Sequence, residues 1–138
     1  MKRAIRFRVE PADDGLYWRV HVYPTRDKML RGFRVINVSK DHREDFSAIV
    51  MPMTEWQRAG REWKKTKLLG HVLFYARGLC GEVVSHEAVH MATSYLRRKR
   101  CSLHLNSQIN DREERLAYCV GYCVGKITNV LHKARIWK

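Results

Sequence analysis

No stretch of the 138-residue chain is apolar over the length that a membrane-spanning helix requires. Residues 1–10 carry charges where a secretory signal needs an apolar run, so no export signal is visible and a cytoplasmic location is expected. Cysteine is sparse. Cys80, Cys101, Cys119 and Cys123 form no C-x-x-C pair, which argues against a cysteine-held zinc, and in the cytosol they are expected as reduced thiols. Cys119 and Cys123 share one helical face and read as small core residues. Acidic residues are outnumbered: 27 Lys and Arg against 14 Asp and Glu leave a net charge of +13. That imbalance predicts attraction to polyanions, whether nucleic acid, an acidic protein partner or an anionic membrane surface, without specifying a site.

The length suits one domain over residues 1–138, with a core of its own. Residues 4–9 alternate apolar and basic side chains, the period of a half-buried strand. A turn with Pro11 and Gly15 leads to a second alternating run over 16–23, and the two are expected to pair as an antiparallel hairpin, with His21 on its more polar, surface side. Thr25 is placed to cap a short helix through Phe33. A short strand is expected over 35–39, a polar loop containing His42 over 40–45, and a third strand over 46–53 that Pro52 closes. Residues 54–67 mix Trp56 and Trp63 with Arg58, Arg61, Lys64, Lys65 and Lys67. Such a mixture suits base stacking and phosphate pairing, but the amphipathic default is a helix that buries its tryptophans and solvates its lysines. Leu68–Tyr75 is strongly β-prone.

Proline and glycine are both absent from Glu82 to Arg100, and apolar residues there recur at helical spacing. Within that helix lies His86-Glu87-Ala88-Val89-His90. Four residues of helix bring His86 and His90 onto one face, one turn apart, where both imidazoles reach a single zinc ion. Glu87 follows the first histidine, beside that face, where its carboxylate can take a proton from an activated water. With this composition, shuffling would produce the five-residue pattern in roughly two sequences of a hundred, so its helical context carries much of the weight. Arg97, Arg98, Lys99 and Arg100 close the helix, where cations complement its dipole.

Zinc bound by two histidines needs a third protein ligand and an open position. A long helix is expected over 112–133, with Glu113 and Glu114 in its first turn. Ala117, Gly121, Gly125 and Thr128 lie on the face of Glu114. Glycine inside a helix costs about 1 kcal/mol relative to alanine, so this stripe suggests close approach of another helix. If that helix bears His86 and His90, Glu114 is carried to the metal, with Glu113 the alternative ligand.

His86-Glu87-x-x-His90, with Glu114-Arg115-Leu116-Ala117 downstream, resembles the gluzincin group of zinc metallopeptidases. Small size, strands before the motif and the run from Glu113 to Gly121 are similar to the minimal zincins of bacteriophages, which would place the protein in host-cell cytoplasm. The resemblance covers roughly residues 68–130. It implies one zinc ion held by His86, His90 and Glu114, with Glu87 as general base in peptide-bond hydrolysis. It also implies that the strand before the motif is a sheet edge whose residues Val72, Leu73, Phe74 and Tyr75 align a peptide or protein substrate. Tyr118 departs from the pattern, standing where larger gluzincins often place an acidic residue that orients a ligand histidine. No oxyanion partner is specified, and His104, Tyr95 and Tyr118 are the candidates.

The expected fold is therefore α+β: an antiparallel or mixed sheet of about four strands, the motif helix and a long C-terminal ligand helix. The leading expectation is a zinc metallopeptidase. A basic nucleic-acid-associated module with a structural zinc, and an inactive zincin that serves as inhibitor or adaptor, are the alternatives.

Overall fold

The structure is a computed structural model, and it describes residues 1–36, 47–101 and 111–137. The expected hairpin is present as β1 (Ile5–Val9) and β2 (Tyr17–Tyr23), antiparallel, with Ile5 opposite Val22 and Val9 opposite Trp18. Alternation sets its inner face: Trp18, Val20 and Val22 are wholly buried. The expectation of a surface His21 is corrected. Its side chain lies on the other face of β2, which α1 (Arg26–Ile36) covers in part, and only 5% of it is exposed.

The side-chain oxygen of Thr25 accepts the Lys28 backbone N–H at 3.3 Å, the capping arrangement read from the sequence. Met29 and Phe33 turn inward from α1 onto Ile49 and Leu73. Val35 and Ile36 belong to this helix rather than to a strand, and the rest of the expected strand and the loop with His42 lie outside the described residues.

The third strand is β3 (Ala48–Pro52). The β-prone run before the motif forms β6 (Leu68–Tyr75), and the sheet order is β1-β2-β6-β3. β6 runs parallel to β2 and antiparallel to β3. A strand that is apolar on both faces belongs inside a sheet, and Val72, Leu73 and Phe74 are fully buried. This corrects the assignment of Val72, Leu73, Phe74 and Tyr75 to a substrate-binding edge, because Val72, Leu73 and Phe74 have strand partners on both sides and Tyr75 pairs with Tyr23 of β2. Among the described residues β3 pairs only with β6, so β3 is the edge next to the motif helix. Gly70 permits that pairing: its φ is +153°, and a Cβ there would run into the Met51 carbonyl oxygen.

Residues 54–67 form a two-stranded ribbon, β4 (Trp56–Ala59) and β5 (Glu62–Lys65), instead of the expected helix. Gly60 makes the reversal with a φ of +66°, at the first of two turn positions, where glycine is favoured. Its tryptophans are exposed, not buried.

The motif helix is α2 (Gly81–Arg98), and the C-terminal helix is α3 (Asp111–Lys133). They pack on the sheet face opposite α1, where Val84, Ala88, Met91 and Ala92 of α2 share a core with Cys119, Cys123, Ile127 and Leu131 of α3. All four cysteines are free, and burial drives the Cys123 thiol up to about 12. Arg115 reaches the Cys101 sulfur at 3.8 Å, so α3 begins beside the C-terminal end of α2 and runs back along it. The packed stripe of α3 is the apolar one. The small-residue stripe is not a helix contact, since a Cβ at Gly121 or Gly125 would meet nothing within 4 Å. Among the described residues no helix is long and apolar enough to cross a membrane.

The end of α2 is fastened to the strands by side chains. The Arg98 guanidinium donates to the carbonyls of Met53 (2.6 Å), Leu68 (3.0 Å) and Thr66 (3.4 Å). The Tyr95 hydroxyl donates to Asp14 at 2.6 Å, in the turn between β1 and β2. Charge-assisted bonds of this kind are worth about 1.5–3 kcal/mol each, less where water competes. Arg98→Ala is therefore expected to lower unfolding free energy by about 2 kcal/mol in urea titrations, and Arg98→Lys to recover under half of it, because one ammonium cannot fork among three carbonyls.

Candidate metal centre

α2 carries the motif with the geometry its spacing requires. The Nε2 atoms of His86 and His90 are 3.1 Å apart, and the ring centroids are 4.8 Å apart at 72°. That separation suits a hydrogen bond from one ring N–H to the other ring's lone pair. It equally suits a shared cation: with bonds of about 2.0–2.1 Å, the angle at a zinc ion would be about 100°, close to tetrahedral. Both imidazoles are exposed and free to receive a ligand. Glu87, by contrast, is only 8% exposed. Burial pushes its carboxyl above the usual range, while the nearby His86 and His90 pull it back.

These residues open onto a groove of about 910 Å³ along β3, on the rim that is unpaired among the described residues. One wall is α2, with His86, Glu87, His90, Ser94 and Arg97; the other is apolar, with Phe33 and Ile36 of α1. Pairing of Val50 with Val72 and of Met51 with His71 sets which side chains of β3 face each helix layer. His71 lines the groove from the α1 side of the sheet, so it is not a third member of the histidine pair on α2.

The structure places the other expected site residues elsewhere. Glu114 is exposed, in the first turn of α3, off the stripe formed by Leu116, Cys119, Cys123 and Ile127. Glu113, in the same turn, is half-buried. Among the described residues no three His, Cys, Asp or Glu side chains stand close enough to hold one metal ion. The expected His86–His90–Glu114 set is thus assembled only in its two α2 members. The reason is the helix face: burial of Cys119, Cys123 and Ile127 decides the rotation of α3 and turns Glu114 to water. Tyr118 is 74% exposed and bonds neither imidazole. Tyr95 is committed to Asp14, and His104 lies outside the described residues.

His21 and His71 form a second pair, on neighbouring strands, with Nε2 and Nδ1 3.0 Å apart. Burial first, then the charges of His71, Arg6 and Arg19, bring the His21 pKa down to about 4. His21 Nδ1 is buried without a partner among the described residues, so a second ring proton would find no acceptor there.

No family model matches the chain, and no curated protein or solved structure is significantly similar to it.

The His21 environment sets a pH dependence. Its folded pKa is below the unfolded value of 6.5, so its contribution is complete above pH 6.5 and is lost as pH falls toward about 4. Stability is expected to fall over that window by on the order of 2 kcal/mol from this group. In His21→Phe, thermal denaturation followed from pH 7 to pH 4 should show a shallower acid loss, with His71 and Asp14 among the groups that supply what remains.

Proposed function

We propose that the chain is a zinc-dependent peptidase with a small zincin-like build, centred on His86, Glu87 and His90. The observation that carries this reading is the convergence of the two Nε2 atoms, 3.1 Å apart, with a buried carboxylate beside them and a free sheet edge in the same groove. His86 and His90 would supply two of the ion's ligands, and among the described residues no third His, Cys, Asp or Glu stands with them. When bound, zinc supplies Lewis acidity toward a carbonyl and lowers the pKa of a water molecule.

The chain's own groups account for the rest. An extended peptide adds to β3 as a further strand, its backbone satisfying the rim, with alternate side chains toward α2 and toward the apolar wall of α1. Glu87, with its raised pKa, takes the proton of the attacking water and passes it to the leaving amine nitrogen. Arg97 lies along the same wall of the groove and is available to a substrate carbonyl or carboxylate.

Zinc titration of the full chain, followed by hydrolysis of an unfolded protein substrate, tests this reading. His86→Ala and His90→Ala are expected to abolish zinc binding. Glu87→Gln should keep the metal and lower turnover by about 10²–10⁴-fold. The exposed position of Glu114 predicts that Glu114→Ala keeps zinc; loss of zinc in that variant, with the fold intact, would mean that α3 supplies the third donor after all. No zinc binding by the unmodified chain would end the peptidase reading.

The two-donor set also favours a second reading, a zincin without turnover that works as an adaptor through β3. Zinc and peptide binding without cleavage would select it.

A further inference from the structure

The β4–β5 ribbon has no role in the groove and no core of its own. Its pairing puts Trp56 opposite Lys65 and Arg58 opposite Trp63. Side chains alternate along strands, so Trp56, Arg58, Trp63 and Lys65 share one face, with Gln57, Ala59, Glu62 and Lys64 on the other. Trp56 is 46% and Trp63 64% exposed. Every residue of β5 is exposed, and neither indole belongs to the hydrophobic core of the domain.

An isolated two-stranded ribbon is marginal in water, and two solvent-facing tryptophans do little to help it. They make sense as a contact surface. The two indoles are diagonal neighbours across the ribbon, with backbones about 7–8 Å apart. Each has a cation beside it: Lys65 Nζ lies 5.3 Å from the Trp56 ring, and Arg58 is the cross-strand partner of Trp63.

The electrostatics choose the partner. Residues 54–67 hold five Lys and Arg against Glu55 and Glu62. At the ribbon's base a groove of about 500 Å³ is lined by Lys65, Lys67, Arg98, Lys99 and Arg100, with Asp14 and Glu55 on its acidic side. Lys65 is held 3.4 Å from Glu55 and Lys99 3.6 Å from Asp14, and Arg98 is spent on carbonyls, which leaves Lys67 and Arg100 as the exposed cations without such a partner among the described residues. A ligand that offers flat π-surfaces with a regular negative charge matches this arrangement. We propose that the ribbon binds single-stranded nucleic acid, stacking unpaired bases on Trp56 and Trp63 while Arg58 and the basic groove pair with its phosphates. Duplexes keep their bases stacked internally and do not offer those faces.

The test is fluorescence anisotropy of the full chain with labelled oligo-dT, oligo-U and a mixed-sequence duplex of equal length, at several salt concentrations. The expected result is binding of single strands in preference to duplex, with the logarithm of the affinity falling by about 0.7 per phosphate neutralised for each tenfold rise in salt. The dT and U arms decide between DNA and RNA. Trp56→Ala and Trp63→Ala should each weaken binding about five- to a hundredfold, whereas Trp63→Tyr, which keeps a stacking ring, should lose much less. Both sites are exposed, and circular dichroism of each variant confirms the fold. Duplex binding equal to single-strand binding, affinity unchanged in both alanine variants, or binding to anionic phosphatidylserine vesicles but to no oligonucleotide would each overturn the proposal.

Discussion

β6 lies between a parallel and an antiparallel neighbour, with Val72, Leu73 and Phe74 withdrawn from water on both of its faces. Side chains of that size contribute about 1.5–3 kcal/mol each when fully buried, so the strand fixes where everything else can go. β2 must join on one side and β3 on the other. α1 covers one face through Met29 and Phe33, while α2 and α3 cover the opposite one. Among the described residues this stack stops at β3, whose rim lines the groove, and Gly70 lets β3 come close enough to pair with β6. A side chain at Gly70 would collide with the Met51 carbonyl and Pro52 and push β3 outward.

The histidine pair draws on that same packing. α2 buries Val84, Ala88, Met91 and Tyr95, and this apolar face leaves His86 and His90 turned to the groove. Glu87, next in sequence, is swept toward the protein and loses most of its water. A buried carboxylate is costly by itself, and two imidazoles within reach offset part of the cost when they carry positive charge. The arrangement is what general acid–base chemistry requires: a carboxyl group whose proton is easier to hold than in water, beside a fork that suits a cation.

The positive charge of the chain is distributed with some structure. Arg98 is consumed in tethering strand ends, and Lys99 in pairing with Asp14. The cations of the β4–β5 ribbon meet one acidic partner, Glu55, which sits 3.4 Å from Lys65. The ribbon therefore projects a basic, aromatic face on the side of α2 where the helix ends, away from the histidines near its middle. Histidine pair and ribbon are spatially distinct, joined through the C-terminal turn of α2.

Patterns of short period were legible in the sequence. Alternation over residues 16–23 marked β2 with its buried face, Thr25 marked the start of α1, and the 86–90 spacing marked two imidazoles on one helical face, because each depends on neighbours within one or two turns of chain. Residues 54–67 misled because the tryptophan and lysine spacing fits a helix nearly as well as a ribbon, and Gly60 decides between them through its positive φ. Glu114 was placed by reading glycines as a contact face, whereas the larger apolar gain of Cys119, Cys123, Ile127 and Leu131 sets the rotation of α3. His21 looked superficial because nothing local says that α1 will fold over the second face of β2. The sequence by itself determined the elements with strong periodicity and the two imidazoles on one helical turn. Tertiary structure alone decided which strand is the edge, which face of α3 is buried and which histidines meet across strands, because those depend on pairings between residues far apart in the chain, settled by total burial rather than by local pattern.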